Sequence, residues 1–329
     1  MRVLIYERAF RRLETSLRSL PGVSYVRMQD DASLQLDGAT IDGDPGIEAA
    51  WLAHDLFRGG PLRELMICCL KSSSLKWLQS SAAGFDHPVF EQLAAKGVAL
   101  STSHAAAIAI AEFVLSSVLD AFQPHAQRRV HQAERKWHRV AARELHGGTW
   151  LIAGIGHIGS EVALRARAFG AHVIGVRRNP RGDEPVDRVL PLSQLKQALP
   201  SADVVVLAAP ANADSEQLFS AELFALMKPR SVLVNVGRGS LVDEAALLAA
   251  LDRGSPELAI LDVFATEPLP ETSPLWAHPR VHVNPHASAE SDGVSRRNDA
   301  LFLDNLARYA RGERPLYLRE LPEVAGVTR

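Results

Sequence analysis

The run TWLIA at 149–153 passes directly into Gly154-Ile-Gly156-His157-Ile158-Gly159. A helical stretch, SEVALRARAFG, and a second apolar run, HVIGV at 172–176, follow. No other feature restricts the fold of this chain as strongly. A strand, a G-x-G-x-x-G turn and a helix within about 30 residues make the phosphate-binding half of a βαβ unit. Gly154 permits the tight turn, Gly156 lets the backbone approach a pyrophosphate, and Gly159 allows close packing of helix on strand. The first helical N–H groups are then free for an anion, and His157 and Ile158 join the glycines as expected cofactor-binding positions.

The same pattern continues with DVVVLA (203–208), SVLVNV (231–236), ELAILDV (257–263) and VHVN (281–284). Six such runs, most separated by helical stretches, predict a doubly wound Rossmann sheet. Upstream, RVLIY (2–6) and shorter runs near 23–27, 49–52, 75–79 and 98–100 alternate with helical signals at 9–20 and 62–70. That alternation predicts a second, smaller α/β layer of the flavodoxin-like kind. A length of 329 residues suits two domains. Near 101 the composition turns to an alanine-rich helix, AAAIAIAEFVLSSVLDAF, which Pro124 ends. A further helix is expected from about 289 to 309, with an extended tail returning to the first layer. The expected organisation is therefore a dinucleotide-binding domain, 101–288, inserted into a substrate domain made of 1–100 and 289–329.

Thirty-six basic residues against 38 acidic ones favour neither nucleic acid nor an acidic membrane surface as a partner. The apolar N-terminus is broken by Glu7 and Arg8 too early for a signal peptide, and no uncharged apolar run approaches the ~18 residues of a membrane span. Cys68 and Cys69, the two cysteines, form no disulfide framework and suit a reducing cytoplasm. No metal is called for. The segment 125–146 is basic and polar and is expected as an exposed helix or arm. With the apolar helix before it, 105–146 is the expected contact of a homodimer.

The end of the second strand bears on the cofactor. An NAD site usually places Asp or Glu there for the ribose 2′-hydroxyl. This chain has Arg177 and Arg178, with Arg181 close behind. A guanidinium pairs with a 2′-phosphate that a carboxylate would repel, so NADP is expected in preference to NAD.

Three more segments set polar residues at the C-terminal ends of predicted strands, where open α/β sheets bind ligands. They are SVLVNVGRGSLVDEAAL with Arg238, LAILDVFATEPLP with Asp262 and Glu267, and VHVNPHASA with His286. With the glycine loop, and with LKWLQSSAAGFDH (75–87), AIAIAEFVL (107–115) and PLWAHPRV (274–281), they resemble the D-isomer-specific 2-hydroxyacid dehydrogenase family over nearly the whole chain. Arg238 precedes Glu267 by 29 residues and Glu267 precedes His286 by 19, spacings similar to the family's Arg, Glu and His triad. Reducing a 2-oxo acid needs a cation for the carboxylate and carbonyl oxygen, which the planar fork of Arg238 can supply. It also needs an acid near neutrality for the developing alkoxide, a role for His286, with Glu267 stabilising the imidazolium.

The resemblance further implies that the N–H groups of Ala83 and Gly84 bind the substrate carboxylate and that Asp262 faces the nicotinamide amide. Pro210 and Val236 line the cofactor by the same likeness, and Trp276 lines the substrate pocket, as in the glyoxylate and hydroxypyruvate reductase branch. Ser101 and His104 depart from the Asn and Gly common before the long helix, and His157 occupies a variable loop position. The implied activity is hydride transfer from NADPH to a small 2-oxo acid such as glyoxylate or hydroxypyruvate, giving the D-2-hydroxy acid. A dinucleotide-sensing corepressor of the same fold is the alternative. The absence of a long disordered tail and the paired arginines count against it.

Overall fold

The computed structural model describes residues 1–85, 87–210 and 215–319. Asp86 of the LKWLQSSAAGFDH motif and the end of the expected substrate domain, 320–329, lie outside the described residues. The chain forms two compact units, one of Met1–Ala106 with the chain from Asp292 onward, the other of Ala107–Ser291. The boundaries fall slightly beyond 100 and 288, and at the first of them Ser101 to Ser103 remain tied to the first unit. Thr102 N–H donates to Tyr317 O (3.0 Å) and Ser103 N–H to Ala82 O (3.0 Å).

The first unit holds strands β1 (Arg2–Tyr6), β2 (Ser24–Met28), β3 (Leu34–Leu36), β4 (Ala39–Ile41), β5 (Ala49–Leu52), β6 (Trp77–Ser80) and β7 (Ala99–Ser101). Its helices are α1 (Glu7–Arg18), α2 (Leu62–Lys71) and α3 (Pro88–Ala95). The sheet order is β4-β3-β2-β1-β5-β6-β7. Its five parallel strands have the flavodoxin order, and β3 and β4 add an antiparallel hairpin at one edge. That hairpin was not among the expected strands, although Asp37-Gly38, with φ of 51° and 84°, is the Asp-Gly turn that favours such a connection. Both faces of the sheet are covered. Trp51 and Trp77 are fully buried against Phe302, which stacks on Trp51 at 4.1 Å between ring centroids.

The second unit begins with α4 (Ala107–Phe122) and α5 (His125–Ala133) and continues through β8 (Thr149–Ala153), α6 (His157–Ala168), β9 (His172–Arg177) and β10 (Arg188–Pro191). After α7 (Leu195–Ala198) come β11 (Val204–Leu207), α8 (Ala221–Leu226), β12 (Val232–Asn235), α9 (Glu244–Arg253), β13 (Leu258–Leu261) and β14 (Val281–Val283). Phe302 belongs to α10 (Asp292–Ala310), which returns to the first unit. All seven strands of the second sheet are parallel, in the order β10-β9-β8-β11-β12-β13-β14. Six of them are the six apolar runs of the sequence. The seventh, β10, is a short edge strand of sequence RVLP, and edge positions need no continuous apolar run.

The strand order reverses between β8 and β11, so a crevice opens beyond their C-terminal ends, where ligands of doubly wound sheets bind. The apolar faces of α4 are largely covered within its own unit: Ala111, Val114 and Val118 are fully buried, and α4 packs along α6. By contrast α5 has no buried residue. Among the described residues no single helix is long and apolar enough to cross a membrane.

Candidate active site

The glycine loop stands in the crevice between β8 and β11. Gly154 has φ of +102°, and a Cβ there would lie 2.5 Å from the backbone nitrogen of Ala209 on the neighbouring chain segment. At Gly159 a Cβ would meet the carbonyl oxygen of Gly154 at 2.0 Å. Both positions therefore admit only glycine if α6 is to leave the sheet at this angle. Gly156 differs, because nothing lies within 4 Å of its missing Cβ. It is the N-cap of α6 and no side chain caps the helix, which leaves N–H groups and open space where a pyrophosphate would sit. His157 opens the helix, and burial holds its imidazole below the ordinary histidine value, with Glu161 opposing the shift.

A cavity of about 340 Å³ adjoins the loop. Ile155, Leu192, Pro210 and Leu218 give it apolar walls, and Arg177 and Arg178 stand at its polar side. The residues present fit a dinucleotide, with apolar walls beside cations and the glycine cradle. Arg177 is already engaged, because its Nη1 donates to Glu184 Oε1 at 2.9 Å. Glu184 also accepts from the N–H groups of Arg181 and Gly182, each at 2.8 Å. The N–H of Arg181 foremost, with those of the loop and the Arg177 guanidinium, holds the Glu184 carboxyl down at about 2. Sequence reasoning passed over Glu184. Its signal was a carboxylate closing the turn-rich stretch NPRGDE.

Val236 lies buried just beyond β12, its N–H donating to Leu207 O at 3.0 Å. Asp262 is 2% exposed. Its carboxylate accepts from the Asn284 side-chain amide, from the N–H groups of Ala287 and Ser288, and from the Ser288 hydroxyl. Its bonds thus tie down the segment that carries His286. Neither Asn284 nor Ser288 was picked out in the sequence, because their partner is 22 to 26 residues away.

Arg238, Glu267 and His286 follow three neighbouring strands, β12, β13 and β14, on the same edge of the sheet. Asn235 shapes the Arg238 turn, accepting from Gly237 N–H (3.1 Å) and donating to Arg238 O (3.0 Å). The next residue, Gly239, packs its α-carbon onto the backbone of Phe264, and a Cβ there would fall 1.9 Å from Phe264 C and O. Phe264 N–H in turn donates to Glu267 Oε1 (2.9 Å), and Glu244 accepts from Ala265 N–H (2.8 Å). Glu267 Oε2 meets His286 Nδ1 at 2.7 Å, with the imidazole more than half exposed. The expected Glu and His are hydrogen-bonded, and the turn bearing Arg238 rests against the loop bearing Glu267. Trp276 is 52% exposed, and its Nε1 donates to Pro270 O at 3.0 Å.

In the first unit, Ala83 and Gly84 lie in the loop after β6. Ser81 N–H donates to Leu52 O and Ala82 N–H to Ser80 Oγ, which fixes the approach to that loop. Among the described residues no group of His, Cys, Asp and Glu could hold a metal ion.

A parallel seven-stranded sheet with a glycine cradle at its switch point, and a paired carboxylate and imidazole two strands away, defines a dinucleotide-binding oxidoreductase fold. The family model for the D-isomer specific 2-hydroxyacid dehydrogenase, NAD binding domain, matches residues 115–288, and the chain belongs to that family. A glyoxylate reductase of Aeropyrum pernix is 31% identical over 282 residues, covering 80% of this chain and 83% of that protein. A D-3-phosphoglycerate dehydrogenase of Methanocaldococcus jannaschii is 29% identical over 261 residues, which is 77% of this chain. The chain spans about half the length of that relative, 49% of it. The crystal structure of a D-isomer specific 2-hydroxyacid dehydrogenase from Xanthobacter autotrophicus, in complex with NADPH and MES, is 28% identical with a TM-score of 0.73. The match covers 97% of each chain.

Proposed function

We propose that this protein is an NADPH-dependent reductase of small 2-oxo acids, with glyoxylate and hydroxypyruvate first among substrates and the D-2-hydroxy acid as product. The observation that carries the reading is the 2.7 Å pair of Glu267 and His286 beside the Arg238 turn, on the ligand-binding edge of a sheet with a dinucleotide cradle. When bound, the reduced nicotinamide supplies the hydride.

The chain's own residues do the rest. Arg238 holds the substrate carboxylate and draws charge onto the carbonyl oxygen. Because His286 turns Nδ1 to Glu267, its Nε2 is the ring nitrogen left to give a proton to the alkoxide as it forms. The Glu267 carboxylate offsets the imidazolium charge before that transfer. Ala83 and Gly84 are assigned to the substrate carboxylate through their N–H groups, Trp276 to the substrate, and Asp262 to the nicotinamide amide. The reductase and dehydrogenase names of the relatives do not favour the corepressor alternative.

The preference for NADPH rests on the arginines at the cavity. One charge-assisted contact to the 2′-phosphate contributes ~1.5–3 kcal/mol. That corresponds to NADPH favoured over NADH by about tenfold to a hundredfold in kcat/KM. Replacing Arg178 with glutamine should bring the two cofactors to near parity. Initial rates with both cofactors on glyoxylate, hydroxypyruvate, pyruvate and phenylpyruvate test substrate and cofactor together. No turnover on any of them, or equal efficiency of NADH and NADPH in the wild type, would sink the corresponding part.

We propose also that the protein works in the cytoplasm as a homodimer through 105–146. The support comes from α5 and the segment after it, since α4 is largely covered by its own unit. Residues 125–146 carry six Arg and Lys against two Glu, and Trp137 is 100% exposed. An aromatic side chain left wholly in water marks a contact surface. Sedimentation at micromolar concentration should show a dimer, and a stable monomer would contradict this.

A further inference from the structure

We infer that the second unit carries a binding site for a small phosphoryl-bearing anion at the edge of its sheet opposite the active site, formed by Arg143, Arg230, Arg280 and His282. A cavity of about 440 Å³ opens there beside the first residues of β12, β13 and β14. The other ends of the same three strands lead to Arg238, Glu267 and His286. The strands put roughly 10–13 Å of extended chain between the two edges, so this cavity is separate from the dinucleotide crevice.

The four side chains reach the cavity from three segments. Arg143, before β8, stacks on the Phe122 ring at 4.0 Å from its centroid and donates from Nη1 to Arg230 O at 2.7 Å. Arg280 is fixed through its own Nη1, which donates to Leu251 O (2.6 Å) in the last turn of α9. Each of these guanidinium groups carries five donors, so both are held at the wall with donors left over. Arg230 and His282 differ, because among the described residues their side chains form no hydrogen bond or ion pair. Arg230 has φ of +65°, a conformation that glycine or asparagine takes at less cost. Neither the turn before β12 nor any bond within the protein accounts for an arginine at that position.

The charges around the cavity are unbalanced. Three guanidinium groups face one carboxylate in its lining, that of Glu257, which is half exposed and 3.7 Å from Arg143 Nη1. Asp203 stands outside the lining and is paired with Lys228 at 2.6 Å. Burial first, and the Arg230 charge second, press the Arg143 guanidinium below its ordinary value, while Glu257 and Asp203 act the other way. The surplus is two positive charges. A phosphoryl group carries about −1.5 to −2 near pH 7 and offers several oxygens to planar donors. A single carboxylate would leave one cation unmatched.

The experiment measures the dissociation constant of inorganic phosphate on the full chain by calorimetry, at constant ionic strength. Whichever of NADH and NADPH binds more tightly is present at saturation, so that the anion sites of the cofactor crevice are filled. Malonate serves as the dicarboxylate comparison. The proteins are the wild type, Arg230→Gln, His282→Gln and Glu257→Gln, and sedimentation records the oligomeric state of each. The wild type should bind one phosphate per chain. Arg230→Gln should weaken it about tenfold or more and His282→Gln about twofold to tenfold, with cofactor affinity unchanged in both. Glu257→Gln should tighten it about threefold to tenfold, because the competing carboxylate is gone.

No phosphate bound beside the cofactor, or equal affinity in the wild type and Arg230→Gln, overturns the inference. Tighter binding of malonate than of phosphate overturns the phosphoryl assignment. If Arg230→Gln breaks up a dimer and leaves phosphate affinity as it was, the cavity is a contact between copies of this chain and the inference falls. Should Arg230→Gln fail to fold, Glu257→Gln decides: tightened binding supports the site, and unchanged or weaker binding refutes it.

Discussion

Replacing His286 with alanine is expected to lower the rate of 2-oxo acid reduction by about 10² to 10⁴, the usual worth of a positioned general acid, while leaving NADPH affinity almost unchanged. The expectation comes from the orientation of the ring. Nδ1 is committed to Glu267 at 2.7 Å, and the imidazole is held over its loop by the bonds that Asp262 receives from Ala287 and Ser288. Alanine removes the proton donor without disturbing those backbone bonds, so binding and chemistry separate. Glu267→Gln supplies the companion result. Loss of the carboxylate that takes Nδ1 leaves the ring without the partner that orients it, so reduction should slow while cofactor affinity stays near that of the wild type. Steady-state rates, with cofactor affinity measured separately, check both variants. Full activity in either variant would remove that residue from its assigned role.

Gly239→Ala should be nearly as damaging, though residue 239 contributes no side chain to the chemistry. Its Cβ would fall 1.9 Å from the carbonyl carbon and oxygen of Phe264, which are backbone atoms that cannot rotate aside. The turn after β12 and the loop after β13 must then separate. Such overpacking costs roughly 1–3 kcal/mol or more. Since Phe264 N–H is bonded to Glu267, separation also moves Glu267 relative to Arg238. A displacement near 1 Å in an active site costs about 10²-fold in rate. Thermal unfolding and kcat/KM should therefore fall together, whereas a variant with wild-type stability and rate would show that the two loops do not depend on each other.

The sequence alone determined the nucleotide-binding half of this protein to a large extent. Six of seven strands in its sheet coincide with apolar runs, and the glycine loop falls where strand yields to helix. These features were legible because they are local. A buried parallel strand needs a continuous apolar run, and a turn at φ of +102° needs glycine, whatever the remainder of the chain does. The spacing of Arg238, Glu267 and His286 was legible through the family resemblance, and each of the three follows a strand of one parallel sheet. The β3–β4 hairpin and β10 escaped notice because edge strands are short and only half covered.

The partners of charged side chains were decided by the tertiary structure. In the sequence Arg177 is indistinguishable from Arg178, yet the fold closes a turn that sets Glu184 against the first. Asp262 is one acid among 38, and only the adjacency of β13 and β14 brings four donors of the 284–288 segment onto it. The contact of Gly239 with Phe264 has the same origin in the pairing of β12 with β13. Backbone preferences act over a few residues, and so they can be read along the chain. An ion pair or a steric contact depends on which strand ends become neighbours, and that is settled only when the sheet has formed.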